Sequence, residues 1–317
     1  MTAEFRTINR GYNTTFQPNR LSVGLVVPIE TYDRGPVPTM AQHLERVQLA
    51  EKLGFSAVWL RDIPFDVPTF GDTGQGFDPF VYLGYLAGGT RTIGLGVASI
   101  ILPLRHPAHV AKSAASADVL SDGRLMLGIA SGDRPEEYPA LNIPFHSRGD
   151  YFRESYDYIR AMSGTHQTIS NRFGDVSSDL NMLPKPSGGR LPLLITGSSQ
   201  QSQDWICTHG DGWMTYPRPA PQQAHIIQSM RARGRRSGEF DRPVMEPLYV
   251  DLTEDPDASP RPIHLGLRLG ANPLCDYLLS RQQIGVNHVA INLRFNQLDI
   301  EATLEQLAER VLPQFNH

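Results

Sequence analysis

Residues 92–133, TIGLGVASIILPLRHPAHVAKSAASADVLSDGRLMLGIASGD, contain a buried strand (93–102), a helix opened by Pro107 and a second buried strand (124–129). Both strands are nearly continuous apolar runs, the pattern of a parallel sheet covered on both faces. Each ends in small and polar residues, Ala98-Ser99 in the first and Ala130-Ser131-Gly132-Asp133 in the second. In βα architectures the chemistry gathers where strands finish, so this unit points to an enzyme and shows which end of the sheet to search.

Outward from this unit the same alternation repeats. Strands are expected at 21–29, 57–61, 191–196, 213–216, 246–252 and 288–293. Helices are expected from Thr39, as N-cap, to Leu53, from Asp78 or Pro79, and over 150–162, 200–209, 221–235, 273–284 and 300–312. Eight strands, each followed by a helix, predict an α/β fold of the (β/α)8 TIM-barrel type, preferred over an open doubly wound sheet by the count and the even spacing. Residues 1–20 read as an N-terminal extension and 21–317 as a single domain. Three segments are too long for simple loops. Residues 64–77 and 254–272 follow strands and are placed at the C-terminal face, whereas 166–190 starts nearer the opposite face.

Composition narrows the function. The chain has 317 residues, 40% apolar and 20% charged, with a formal net charge of −4, so neither nucleic acid nor an anionic membrane is an expected partner. Cys207 and Cys275 are far apart and read as free thiols suited to a reducing cytoplasm. No secretory signal or membrane-length apolar run is seen.

Several residues carry candidate chemistry. Gly197, Ser198, Ser199, Gln200 and Gln201, in TGSSQQS between a strand and a helix, suit a phosphate at a helix N-terminus, where a single capping serine would be the plainer use. Asp62 and Asp133 end two strands and suit general acid or base work; pairing with Arg61 or Arg134, or capping, is the alternative. Ser99-Ile100 is read as the end of a buried strand with one hydrogen-bonded serine. His106 and His109 are read as a capping or solvated pair, Trp213 as core, and the arginines of 231–236 as a solvated helix end.

Taken together, residues 54–62, 92–133, 143–159, 191–219 and 285–293 resemble the bacterial luciferase-like superfamily of flavin- or deazaflavin-dependent oxidoreductases, with 92–133 the specific block. The resemblance implies a barrel holding reduced FMN, or alternatively F420, at its C-terminal mouth. A cis non-proline peptide would stand behind the ring at Ser99-Ile100, with Ala98 one step before, and Ser131 and Gly132 would lie beside it. The phosphate turn would be 197–201, with Gly212 and Trp213 at its edge. Asp133 matches an acid of deazaflavin-dependent relatives, and Asp62 a polar contact. Ile63 stands where several members carry a histidine, so Arg61, Asp133, His106 or Tyr138 must substitute, or no such group is needed; PFDVPTF suggests an apolar substrate wall. The implied activity is an FMN-dependent monooxygenase using O2, a small organic substrate and reduced flavin from a separate reductase. F420-dependent hydride transfer, a catalytically silent flavin-binding protein and a metal-dependent hydrolase through Asp62, His106 and Asp133 are the alternatives. A homodimer through the second and third helices is expected.

Overall fold

A computed structural model describes residues 4–35, 37–70, 74–236 and 240–315, without the Arg236 side chain. The apolar runs become eight parallel strands: β1 (Ser22–Val26), β2 (Ala57–Leu60), β3 (Gly94–Ile101), β4 (Leu125–Ala130), β7 (Leu193–Thr196), β8 (Gly212–Met214), β9 (Val244–Leu252) and β12 (His288–Asn292). They pair in the order β12-β1-β2-β3-β4-β7-β8-β9, and β9 pairs again with β12. The sheet is thus closed, and the expected (β/α)8 barrel is found. Its helices are α2 (His43–Lys52), α3 (Pro79–Gly89), α4 (Pro107–Leu120), α5 (Glu137–Ala140), α6 (Arg148–Ser163), α7 (Gln203–His209), α8 (Ala220–Arg236), α9 (Ala271–Gln283) and α10 (Ile300–Arg310).

Alternation along the strands splits the core in two. Leu25, Val58, Leu95, Leu127, Ile195, Leu248 and Ile291 face the helices. Val26, Trp59, Met126, Leu194, Met214, Met245 and Ala290 fill the barrel. The N-terminal extension supplies the floor: α1 (Arg10–Thr15) and its flanks bring Ile8, Tyr12 and Phe16 into the interior cluster. Asn9 caps α1 and donates from Nδ2 to Asp118 and to the Leu125 carbonyl, each at 2.8 Å. Above this floor Trp59 Nε1 meets His288 Nε2 at 2.7 Å, and the other ring nitrogen meets Ser22 Oγ at 2.7 Å. Burial pushes the His288 pKa down to about 3, so the imidazole is a neutral core group.

Helix starts follow capping chemistry, with corrections. Asp78 accepts from the Phe80 and Val81 amides as expected. Thr39 does not cap α2: its amide and hydroxyl both donate to the buried Glu30 carboxylate, and the helix starts four residues later. The helix expected from Gln200 begins at Gln203, with Ser202 as its cap.

The long segments form small hairpins. Residues 254–272 carry β10 (Arg261–Ile263) and β11 (Gly266–Leu269), and β11 lies parallel to the far half of β9. Residues 166–190 carry β5 (Ile169–Asn171) and β6 (Gly174–Val176). Although this segment begins below the barrel, its turn climbs to the opposite end: Asn171 reaches the Glu154 carbonyl in the first half of α6, and the Phe173 carbonyl reaches His106 at the start of α4. Residues 64–77 join β2 to α3 at the C-terminal face, with 71–73 outside the described residues.

Candidate functional site

The end of β3 is irregular. Its pairing with β4 runs Val97↔Leu127 and then Ile100↔Ile129, so two residues of β3 oppose one of β4, the signature of a bulge. The cis peptide lies within this bulge, between Ala98 and Ser99, one bond earlier than Ser99-Ile100. Ile100 is therefore back in regular alternation and points into the barrel–helix layer, fully buried, away from the mouth. Ala98 packs on the interior cluster, and Ser99 Oγ is hydrogen-bonded to Thr196 Oγ1 at the end of β7. Gly128, opposite, must lack a side chain, because a Cβ there would stand 2.4 Å from the Val97 carbonyl oxygen and 2.5 Å from Met214 Sδ. The hydroxyl pair Ser99–Thr196 thus lies on the floor of the mouth. Thr196 was read only as a strand end.

The turn after β7 is built to offer amides. Gly197, Ser199 and Gln200 have φ of 57°, 45° and 60°, in the left-handed region. Gly197 N is used by the Met214 carbonyl and Gln201 N by the Ser198 carbonyl. The amides of Ser198, Ser199 and Gln200 make no hydrogen bond among the described residues. The side chains do other work. Ser199 Oγ donates to the Thr196 carbonyl at 2.8 Å. Gln201 is buried, accepts two bonds from Arg153 and donates to the Gly149 carbonyl. Trp213 is core and donates from Nε1 to the Gly197 carbonyl, so it braces the turn from below. Gly212 opens β8 level with Leu194 in the barrel interior, which keeps it below the mouth. The seven-residue α7 begins only after Ser202, so the 197–201 turn does not run straight into the expected helix end.

The start of α6, which carries a cation, packs on this turn. Arg148 opens α6, and a Cβ on the adjacent Gly149 would lie 2.9 Å from Gln200 Cβ, so helix and turn are in contact. Its guanidinium stacks 3.9 Å over Phe145, donates from Nη1 to the Phe145 carbonyl, and leaves Nε buried without a hydrogen bond. Cation and amides together suit a phosphate at this side of the mouth.

The two strand-end acids differ. Asp62 Oδ2 accepts from the Ile101 amide and Arg105 Nε, both at 3.0 Å, and Oδ1 accepts from Arg105 Nη2 at 2.7 Å. Burial opposes the Arg105 charge, but bonds to Asp62 and Asp78 outweigh it and raise its pKa. Asp62 is thereby a brace tying β2 to the β3 end and α3, not an acid open to a substrate, and its partner is neither Arg61 nor Arg134. Asp133 is exposed just past β4 and makes no hydrogen bond among the described residues. Before it, Gly132 has φ 76°, and a Cβ would fall 2.5 Å from Tyr138 Oη. That phenol donates to the Ser131 carbonyl, and burial raises its pKa. Arg61 is half-buried and lies along Gly74. His106 caps α4 through the Ala108 amide. Among the described residues no three metal-binding side chains gather.

Of the expected site, the structure therefore brings Ala98, Ser99, Ser131, Gly132, Asp133 and the 197–201 turn to one mouth and leaves Ile100, Gly212 and Trp213 behind it. No helix among the described residues is long and apolar enough to cross a membrane.

Comparison with known proteins agrees with the barrel fold. In solved structures, the monooxygenase RslO1 from Streptomyces bottropensis aligns with TM-score 0.77 at 18% identity over 93% of this chain and 99% of its own. An F420-dependent secondary alcohol dehydrogenase aligns with TM-score 0.75 at 16% identity over 92% and 98%. In sequence, the F420-dependent hydroxymycolic acid dehydrogenase of Mycobacterium tuberculosis is 27% identical over 72% of this chain and 61% of its own length. The alkanal monooxygenase alpha chain of Photorhabdus luminescens is 27% identical over 51% and 44%. Residues 16–261 match the model of the luciferase-like monooxygenase family, and the chain belongs to that family of enzymes.

Proposed function

We propose that this protein is an FMN-dependent monooxygenase that uses O2 and reduced flavin, delivered by a separate reductase, to oxidise a small organic substrate. The observation that carries the reading is one mouth with two ends: a bulge bearing the Ser99–Thr196 hydroxyl pair, and a turn whose Ser198, Ser199 and Gln200 amides make no hydrogen bond among the described residues and whose Gln200 packs on Gly149, next to Arg148. A flat ring with a phosphate tail would use both kinds of group. The turn and Arg148 would hold the phosphate; Ala98, Ser99, Ser131 and Gly132 would back the ring; Asp133 would orient the substrate or hold its proton. The flavin supplies the redox chemistry, and the protein binds, orients and excludes water. Phe65 and Phe70 are exposed on the loop after β2 and would face an apolar substrate.

Two further readings belong to this proposal. The protein works in the cytoplasm, in keeping with the unpaired thiols of Cys207 and Cys275. It pairs as a homodimer through α3 and α4, where Val81 and Tyr85 stand 74% and 53% exposed and Val119 and Leu120 are also exposed.

The test is anaerobic titration of the purified protein with FMN, reduced FMN and F420, followed by O2 uptake with candidate substrates. Binding of FMN and not F420, with substrate-dependent O2 uptake, supports the reading. Binding of F420 alone overturns it in favour of hydride transfer.

A further inference from the structure

In the closed order of strands, β9 lies four places from β3 and β12 four places from β4, so the ends of β9 and β12 stand across the mouth from the bulge and from Asp133. Met245 of β9 and Ala290 of β12 fill the barrel, and alternation turns Tyr249 and Asn292, paired in register, to the same interior side nearer the mouth. Asn292 is 4% exposed. Its Oδ1 accepts from the Arg294 amide at 3.0 Å, which fixes the orientation of the group and leaves the NH2 as its other end. Among the described residues Nδ2 makes no hydrogen bond. A nearly buried donor without an acceptor costs stability and calls for a partner. Three rings stand beside it. Tyr249 and Phe295, both half-buried, have centroids 5.3 Å apart, and His264, in the turn between β10 and β11, lies 6.2 Å and 6.1 Å from them. That hairpin is seated on β9, since a Cβ on Gly266 would fall 1.9 Å from the Tyr249 carbonyl oxygen. The Arg294 guanidinium stacks 4.9 Å from Tyr32 and 5.2 Å from Phe295 and donates to the Gly35 carbonyl at 3.4 Å.

We propose that Asn292 determines substrate specificity: its amide takes an uncharged acceptor, a carbonyl oxygen, on a substrate whose flat apolar body lies against Tyr249 and Phe295. The inference rests on the reading of the mouth as the cofactor and substrate site. A ring backed by Ala98 and Ser99 occupies the β3 side, and the substrate lies between that ring and the β9–β12 wall. An uncharged amide donor pairs with a carbonyl oxygen without any charge being desolvated. A carboxylate at the same place would lose its hydration, gain no charged donor from Asn292 and face Asp133 across the mouth. A body with no acceptor would leave Nδ2 unpaired. Apolar walls with one placed polar group are how small-molecule sites select and orient their guests.

Four probes that share a phenyl ring test this: acetophenone, ethylbenzene, benzoate and benzylammonium. Their dissociation constants are measured by ligand-observed NMR on wild type, Asn292→Asp and Asn292→Ala, each with whichever of FMN and F420 it binds. Wild type is expected to hold acetophenone about tenfold more tightly than ethylbenzene or benzoate. Asn292→Asp keeps an oxygen for the Arg294 amide and puts a second oxygen where Nδ2 stood. It should lose about tenfold in acetophenone affinity and gain at least about fivefold for benzylammonium, a reversal that misfolding does not produce. Asn292→Ala should bind acetophenone and ethylbenzene alike. Cofactor titrations of both variants should stay within about threefold of wild type. A wild type without preference for acetophenone overturns the inference, as do variants that keep that preference. Loss of acetophenone and cofactor affinity together in both variants would make Asn292 structural and overturn it too. The two failures are distinct. A wild type that binds neither FMN nor F420 sinks the reading of the mouth and the role of Asn292 with it. A cofactor-binding protein whose probe order ignores Asn292 sinks this inference alone.

Discussion

Asp62 and Asp133 both follow barrel strands, yet their carboxylates do different work. Asp62 is saturated by Arg105 and the Ile101 amide, whereas Asp133 faces solvent with its oxygens unused among the described residues. Replacing Asp133 with alanine should lower turnover at least tenfold while changing cofactor affinity less than about threefold, a gap of roughly 1 kcal/mol. Stopped-flow turnover and fluorescence titration separate the two, and equal losses would make Asp133 a cofactor ligand. At Ser199 the buried hydroxyl leaves no room for a longer acid, and a carboxylate there would repel a phosphate. Ser199→Glu should weaken FMN binding about 100-fold or more, roughly 3 kcal/mol; unchanged titration would remove the phosphate from this turn. Residue type and strand-end position made Asp133 and the turn legible in the sequence. The fate of Asp62 was not, because its partner lies 43 residues away across a strand.

The eight strands were readable because burial on both faces makes each an apolar run, and their observed limits differ from expectation by a few residues. What escaped were elements without that signal: α1, whose RGYNTT is short and polar, and the hairpins of 169–176 and 261–269, which bury little. Buried ion pairs between elements were equally silent. Asp211, just before β8, takes two bonds from Arg190, one of 2.5 Å from Arg160 on α6 and one from the Leu193 amide of β7. Burial opposes its charge, but Arg160 and Arg190 win and hold its pKa below the ordinary range. A depressed carboxyl contributes stability above the unfolded value, about 3.9, that disappears as pH falls toward the folded one. Urea unfolding should therefore show a steep loss of stability below about pH 4. Asp211→Asn should cost about 3–5 kcal/mol at pH 7, because Arg160 is left buried without its counter-charge, and should flatten the acid decline. An unaltered decline would place the acid lability elsewhere.

Among the described residues, exposed apolar side chains stand on one flank, on α3 and at the end of α4, and others lie on the loop after β2 and elsewhere. If the flank is the dimer contact, the double variant Val81→Glu with Tyr85→Arg should elute as a monomer at concentrations where wild type is a dimer, by light scattering behind size exclusion. A wild-type monomer at 100 micromolar, roughly the limit of a weak but specific pair, would dismiss the dimer.

The floor made by Ile8, Tyr12 and Phe16 closes the lower end of a barrel already packed with side chains. Traffic is therefore one-way in and the same way out. A molecule seated deep against Ser99 and Thr196 has to enter before anything lodged nearer the rim, and it cannot depart until that later arrival has gone. On the proposed function, that geometry would make addition sequential rather than random.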